Sequence, residues 1–398
     1  MTYNVTAGLS LLSLLSLLLG GCSVFDGNTR PCESERYSCP TLDPSADLAP
    51  ASDLATVACT LEAPCVLSRV ESRAPVGLSR NLRAQTQVVG GEVFVAADSF
   101  GSGTNQGSLL RVPQSGVAVE VSALPIATPR SVTVTSLAPV RLLLTGPGAS
   151  IYTLEPSLGG AWQEQRLDAG SCLGRVSGAG QVYHSAALSG SDWWLVGSPT
   201  SDAAAGLLRV DAGRGCQVLS EPQSAGLSFF GAWGTTLAGA EPAERVVWTV
   251  GESAAAVRWT FQGPQGAPQL QRFSIGDGAV TLRAVSGGPQ GAVAYVVGSR
   301  GTLVKVEATG APQTIAVPTA LQTAELLDVA VTTDEVWLIG TQGAGASGSV
   351  LARYQPPLQA WSLWQTPALL RSVSSWAPGT ALVAGDQGLL QLVSADAK

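Results

Sequence analysis

The chain has 398 residues, a formal net charge of −7, and 13% charged against 45% hydrophobic residues. With 22 Lys and Arg facing 29 Asp and Glu there is no basic stripe, which argues against nucleic acid as a partner. The single histidine, His184, excludes a histidine-rich metal channel, and no cofactor is expected.

Residues 7–21 form an uncharged apolar stretch that stops at Cys22. That is the length of a signal-peptide core and short for a membrane span, so residues 1–21 read as a signal peptide. The run Leu19-Gly20-Gly21-Cys22 resembles the lipobox of bacterial lipoproteins. The resemblance implies cleavage before Cys22 and a diacylglycerol on its thiol. Ser23 after it implies an outer-membrane location in the cell envelope. Residues 1–6 carry no Lys or Arg, a departure from the basic start of signal peptides. Residues 22–55, with Pro, Ser, Asp and Ala and no apolar period, read as a flexible lipid-anchored tether.

Cys32, Cys39, Cys59, Cys65, Cys172 and Cys216 are the other cysteines. An even number in an exported chain favours disulfides. Proximity suggests Cys32–Cys39, Cys59–Cys65 and Cys172–Cys216. A metal site is the poorer alternative, since no C-x-x-C occurs.

Residues 56–398 read as strands. A short apolar run ending on a small residue returns seven times, as in Val93–Ala97, Leu142–Gly146, Trp193–Gly197, Val247–Gly251, Ala294–Gly298, Val336–Gly340 and Ala381–Gly385. The final small residues lie 49, 51, 54, 47, 42 and 45 positions apart. One such unit cannot bury its apolar face alone, so the period predicts a radial array of small sheets. In the fifth copy the four strands are expected at 281–286, 292–297, 302–307 and 314–317. In the sixth they are expected at 327–332, 335–340, 349–354 and 361–364. The seventh copy has strands at 370–375, 381–384 and 389–393, and then no room for a fourth. The segment Cys65–Val70, ahead of the first copy, is placed to supply it and remove an exposed edge. The expectation is an all-β, seven-bladed β-propeller of four-stranded blades, the last blade closed by an N-terminal strand.

The phrases Val297-Gly298-Ser299-Arg300-Gly301-Thr302-Leu303 and Ala384-Gly385-Asp386-Gln387-Gly388-Leu389-Leu390 resemble repeats of photosystem II assembly-factor-like propellers. Those repeats continue into an Asp-Gly-Gly…Trp turn that these copies lack. The resemblance implies the fold.

Arg83, Arg130, Arg283 and Arg371 recur near the start of the innermost strand, where a propeller gathers its strands around a channel. A ring of guanidinium groups there would attract carboxylate or phosphate. The alternative is a set of structural arginines bonding carbonyls or neighbouring acids. Asp328 takes the corresponding place in the sixth copy and is expected to pair with one of them. Asp98, Glu252 and Asp386 follow the small residue, with Asp98 and Asp386 brought together by ring closure. They are candidates for a calcium site or paired catalytic carboxylates, or simply for acids accepting turn amides. His184 reads as structural. Trp194, Trp248 and Trp337 are expected between blades, and Trp233 and Trp376 nearer the channel.

Together these readings describe a non-catalytic binding or scaffold lipoprotein recognising a protein or anionic glycan through its loop-rich face. Two alternatives stand beside it. One is a polysaccharide-active hydrolase or lyase using Asp98, Asp386 or an arginine. The other is an assembly factor resembling the outer-membrane lipoprotein that aids β-barrel insertion.

Overall fold

A computed structural model describes Thr56–Val57 and most of residues 67–395; the longest stretches outside it are 1–55, 58–66, 167–181 and 198–206. The signal peptide, the tether, Cys22, Cys32, Cys39, Cys59, Cys65 and Cys172 therefore lie outside the described residues. Cys216 sits on the strand Gly215–Leu219. All described residues belong to one compact unit, Thr41–Lys398.

The unit is an all-β propeller. Its antiparallel sheets follow one another along the chain at 82–124, 131–166, 182–219, 229–274, 282–314, 325–366 and 370–395. Within each, strand order follows chain order from the centre outward. The first strands neighbour one another in a closed circle, with Leu370–Ala377 returning to Leu82–Gln85. The expectation of seven four-stranded blades is corrected here. Six sheets have four strands, and the sheet at 325–366 has five, because Thr56–Val57 pairs outside Ala360–Thr366. The sheet at 370–395 takes its fourth strand from Leu67–Ser72, which pairs with Leu390–Ala395.

The recurring small residue has a steric cause. In each of several sheets the chain entering the first strand passes directly over it. A Cβ on Gly340 would stand 2.6 Å from the Glu325 carbonyl oxygen, closer than real contacts allow, so only glycine or a slightly displaced alanine fits. The residue after it then donates its N–H back to that incoming chain: Asp98 to Asn81, Glu252 to Ser228, Ser299 to Thr281 and Asp386 to Leu369, all at 2.9 Å.

Second strands are buried on both faces, as Val93–Ala97 and Glu244–Gly251 are along nearly their whole length. This is why their apolar residues run together instead of alternating. Outer strands such as Trp162–Arg166 are largely exposed and polar. The apolar cores lie between successive sheets. Trp194, Phe229, Trp259 and Phe261 fill the gap between the third and fourth, and Trp337, Trp364, Leu370 and Val383 that between the sixth and seventh. Leu82, Val95, Leu382 and Leu392 join the last sheet to the first and close the ring apolarly. Trp248 lies between the fourth and fifth sheets. Trp233 and Trp376, on first strands, are partly buried and pack against these cores. They are wall residues, not free platforms.

A polar clasp accompanies the closing core. Arg73, which directly follows the closing strand, is 4% exposed. Its Nη1 donates to the Gly116 carbonyl at 2.6 Å, and the Ala118 N–H bonds the Arg73 carbonyl at 2.7 Å. Gln85 Nε2 reaches the Leu382 carbonyl at 2.9 Å from the first sheet.

Candidate functional site at the mouth of the ring

The first strands begin at the face built from sheet-to-sheet loops, and most begin with a bulge. The register skips one residue between Leu82 and Ala84, Val182 and His184, Phe229 and Gly231, Leu282 and Ala284, Leu326 and Asp328, and Leu370 and Ser372. A bulge leaves one residue unpaired and turns it out of the ladder. Among the residues so presented are Arg83, Phe230, Arg283, Leu327 and Arg371. Three of the four recurring arginines thus owe their place at the mouth to one repeated backbone device. Arg130 reaches it differently, just ahead of Ser131–Leu137, its N–H bonded to the Thr145 carbonyl at 2.8 Å and its side chain exposed.

The paired arginines each meet an acid. Arg83 Nε donates to Asp98 Oδ2 at 2.7 Å. Arg371 forms a two-point fork with Asp386, Nε to Oδ1 at 2.9 Å and Nη2 to Oδ2 at 2.7 Å. Both pairs span 15 residues within one sheet, since the arginine precedes the small residue and the acid follows it. Arg283 has Ser299 where an acid would stand, and Ser299 Oγ instead accepts the Thr281 N–H at 2.9 Å. Arg283 therefore turns to the next sheet, where Nε donates to Glu325 Oε1 at 2.8 Å, and it lies 5.2 Å from the Phe230 ring. Glu252 accepts the Ser228 N–H at 3.1 Å, as an acid satisfying a turn amide does.

Ring closure brings the two same-sheet pairs into one cluster. The Arg371 guanidinium is held above its ordinary range chiefly by its bonds to Asp386, against the opposing cost of burial, with further support from Asp386 and Asp98 charge. Asp98 thus acts on an arginine of the neighbouring sheet as well as on its own. The last turn is tied across the same seam by Gln387 N–H to Asn81 Oδ1 at 3.1 Å and Gly388 N–H to the Arg80 carbonyl at 2.7 Å. Arg83 and Arg371 remain about one-third exposed, 31% and 32%. The acids engage the guanidinium nitrogens, while about a third of each arginine side chain stays exposed. Asp98 is only 7% exposed, and its Oδ1 lacks a hydrogen-bond partner.

Asp328 corrects the expectation that it would pair with an arginine. The bulge residue of its strand is Leu327, and Asp328 falls one place later, where other strands carry Ala84, Gly231, Ala284 and Ser372. At Gly231 the next first strand is so near that a Cβ would meet Ala284 Cα at 3.0 Å. In that tight gap Asp328 accepts two backbone donors, Val329 N–H at 2.8 Å and Val373 N–H of the neighbouring sheet at 3.0 Å. Burial pushes its carboxyl up to about 7, against the opposing pull of those two bonds.

Sequence reading missed Glu325 and Phe230 as neighbours of Arg283. It also missed a recurring pair at the opposite end, where a cation on the third strand stands across from an aromatic on the second. The pairs are Phe94 and Arg111, Trp194 and Arg209, Trp248 and Arg258, Tyr295 and Lys305, and Trp337 and Arg353. Arg258 and Arg353 lie 5.7 and 5.9 Å from their tryptophans, within cation–π range. The two residues of a pair lie 17, 15, 10, 10 and 16 positions apart in the chain, so no fixed sequence spacing marks them. His184 lies in Val182–Ala187 opposite Val196. Among the described residues no group of three or more His, Cys, Asp or Glu gathers as a metal site would require.

No protein family's sequence profile matches the chain, and no curated protein matches it in sequence. Solved structures do match. A catalytically inactive variant of virginiamycin B lyase from Staphylococcus aureus, with quinupristin, superposes with a TM-score of 0.58 at 13% identity, over 82% of this chain and 99% of that one. A streptogramin B lyase gives the same score and identity over 82% and 98%. YCF48 bound to a D1 peptide gives 0.53 at 16% identity, over 85% and 99%. At these identities the likeness establishes a β-propeller and nothing finer.

Proposed function

We propose that this propeller is a non-catalytic recognition module that binds an anionic segment of a protein partner at the mouth of its ring. The observation that carries the reading is the pairing at the seam. Arg83 and Arg371, on neighbouring sheets, are each oriented by an acid of their own sheet and remain partly exposed. A guanidinium fixed in this way loses little freedom when it grips a carboxylate, and its planar fork suits that group. Arg130, exposed on the next sheet, adds a third cation to the mouth. The solved neighbour that carries a peptide, YCF48 with D1, is consistent with a propeller serving as a peptide receptor. The carboxylates that a hydrolytic reading would require, Asp98 and Asp386, are both engaged by arginines, so the geometry favours binding over that alternative.

The test is titration of a labelled hexaglutamate peptide at low and physiological salt. Binding that weakens with salt and falls at least ten-fold in Arg83→Glu/Arg371→Glu supports the reading. Affinity unchanged by the double reversal refutes it.

We also propose that Cys22 carries a lipid that tethers the module to a bacterial outer membrane through residues 23–55. This rests on Leu19-Gly20-Gly21-Cys22. Incorporation of labelled palmitate that Cys22→Ser abolishes supports it, and label retained in that variant refutes it.

A further inference from the structure

The mouth of the ring is not uniform around its circle. From the fourth sheet to the seventh and on to the first, the bulge residues are Phe230, Arg283, Leu327, Arg371 and Arg83. First strands of successive sheets lie side by side. A Cβ on Gly231 would stand 3.0 Å from Ala284 Cα, and Asp328 accepts the Val373 N–H at 3.0 Å. The five bulge residues therefore form a continuous arc. Its seam end carries Arg371 and Arg83, with exposed Arg130 on the second sheet beyond them. Its other end carries one arginine between an aromatic and an aliphatic residue.

That arginine is held in place. Arg283 donates twice to Glu325 Oε1, from Nε at 2.8 Å and from Nη2, and its guanidinium lies 5.2 Å from the centre of the Phe230 ring. The side chain is still 36% exposed. Phe230 and Leu327 are half-buried, and Leu327 belongs to neither of the apolar cores that flank its sheet. The bordering turns are tied down. Ala254 N–H of the fourth sheet bonds the Val280 carbonyl at 2.7 Å, and Gly301 N–H of the fifth bonds the Ala324 carbonyl at 2.8 Å. These borders, 251–255, 298–302 and 315–324, are described throughout. A guanidinium fixed in one plane offers a flat face to an aromatic ring, and Phe230 and Leu327 widen that surface with apolar groups.

We infer that this end of the arc receives an aromatic side chain, so that the partner segment is an acidic run with an aromatic residue beside it. The acids meet Arg371 and Arg83, and the ring lies against Arg283, Phe230 and Leu327. Charge complementarity at one end and the apolar contact at the other set the direction in which the segment lies. Single exposed apolar side chains are ordinary on any surface. Phe230 and Leu327 differ in occupying the register position that on other sheets presents Arg83, Arg283 and Arg371. The inference rests on the mouth being a receptor for an anionic segment, and it names what that segment must contain.

The experiment compares three labelled peptides by fluorescence anisotropy: hexaglutamate, hexaglutamate preceded by Trp-Gly, and hexaglutamate followed by Gly-Trp. One of the two tryptophan peptides is expected to bind at least ten-fold more tightly than hexaglutamate, the scale of a well-stacked ring. Each variant is read as the ratio of tryptophan-peptide affinity to hexaglutamate affinity. Phe230→Ala and Leu327→Ser should each bring that ratio close to one. Phe230→Leu, which keeps apolar bulk and removes the ring, serves if either variant fails to fold. The inference is overturned if neither tryptophan peptide gains affinity, or if the gain survives these substitutions. A gain that depends on Phe230 and Leu327 but not on Arg83→Glu/Arg371→Glu keeps the aromatic site and refutes the anionic reading. Hexaglutamate binding that depends on those arginines, with no gain from tryptophan, does the reverse.

Discussion

Two arginine–carboxylate pairs in the last two sheets carry the same chemistry and do different jobs. Arg371 and Asp386 stand at the mouth, 32% and 19% exposed, and Arg353 and Glu335 lie near the other end, 3% and 6% exposed. Glu335 is saturated: it accepts from Arg353, from Trp337 Nε1 at 3.3 Å, and from the Gly379 N–H of the next sheet at 2.7 Å. Nothing is left over for a ligand. The mouth pair satisfies its acid while about a third of the arginine side chain stays exposed. The comparison teaches that a repeat fold uses one interaction both as a bolt and as a hand, and that burial decides which. A buried pair is costly to break because the survivor is a charge without a partner, whereas an exposed pair is worth little to stability.

The sharpest break of that contrast is Glu335→Ala. It strands Arg353 in the interior and removes the acceptor of Gly379, so it is expected to destabilise by about 3–5 kcal/mol, read by denaturant unfolding. A loss below about 1 kcal/mol, the exposed-pair range, would put both pairs in one class and remove the distinction.

Asp328 tests a third kind of site, an acid held by backbone donors alone. Its carboxyl is pushed up to about 7, above the usual value near 3.9 for an unfolded aspartate. The folded state therefore binds the proton more tightly than the unfolded state does. Its stabilising contribution is full below about pH 4 and is lost as pH rises through about 7. Stability is expected to fall by a few kcal/mol across that window, measured by thermal unfolding from pH 4 to 8. Asp328→Asn keeps an acceptor for only one of the two amides, which bond separate carboxylate oxygens, but it removes the titrating charge and should flatten the profile. An unaltered slope would assign the pH dependence to other groups.

Much of the sheet plan was legible in the sequence, because it rests on strong steric rules. The small residue under the incoming chain and the doubly buried second strand both leave marks in composition. The displaced closing strand was visible as a missing one at the other end, and its described part runs Leu67–Ser72. The fifth strand of the sixth sheet was not visible, since two residues carry no period. The site was legible by position and not by role. Arginines at a fixed offset were evident, yet only the fold shows that Asp98 and Asp386 hold two of them while Ser299 leaves Arg283 to seek Glu325. Asp328 was misaligned because the bulge in its strand presents Leu327, and a one-residue skip does not change the apolar pattern.

Arg73 marks an intermediate case, a buried cation held mainly by carbonyls across the closing seam. Removing it by Arg73→Ala orphans the Gly116 contact and part of the Glu71 environment, whose carboxylate lies 3.3 Å away. A loss of about 1–3 kcal/mol is expected, with faster amide exchange in 67–72. Equal protection there in both proteins would show that the apolar closure through Leu82 and Leu382 suffices without the clasp.

The smallest stability effect and the largest functional one should coincide at the mouth. Arg371→Ala removes a partly exposed pair, so a change of less than about 1 kcal/mol in unfolding is expected. Asp386 then keeps solvent access, which is why its charge is tolerated where that of a stranded Arg353 is not. If the mouth is a receptor, the same substitution should weaken hexaglutamate binding several-fold, and raising salt should narrow the difference between the two proteins because exposed charges are screened. The discriminating variant is Asp386→Asn, which keeps the arginine but removes half of its fork. A guanidinium that merely supplies charge would bind the peptide at least as well after the acid is neutralised. One that depends on being held in place would bind it less well, despite the more positive rim. Loss of affinity in Asp386→Asn, with unfolding nearly unchanged, would therefore assign the acid an orienting role, and a gain would leave the arginine acting as a point charge.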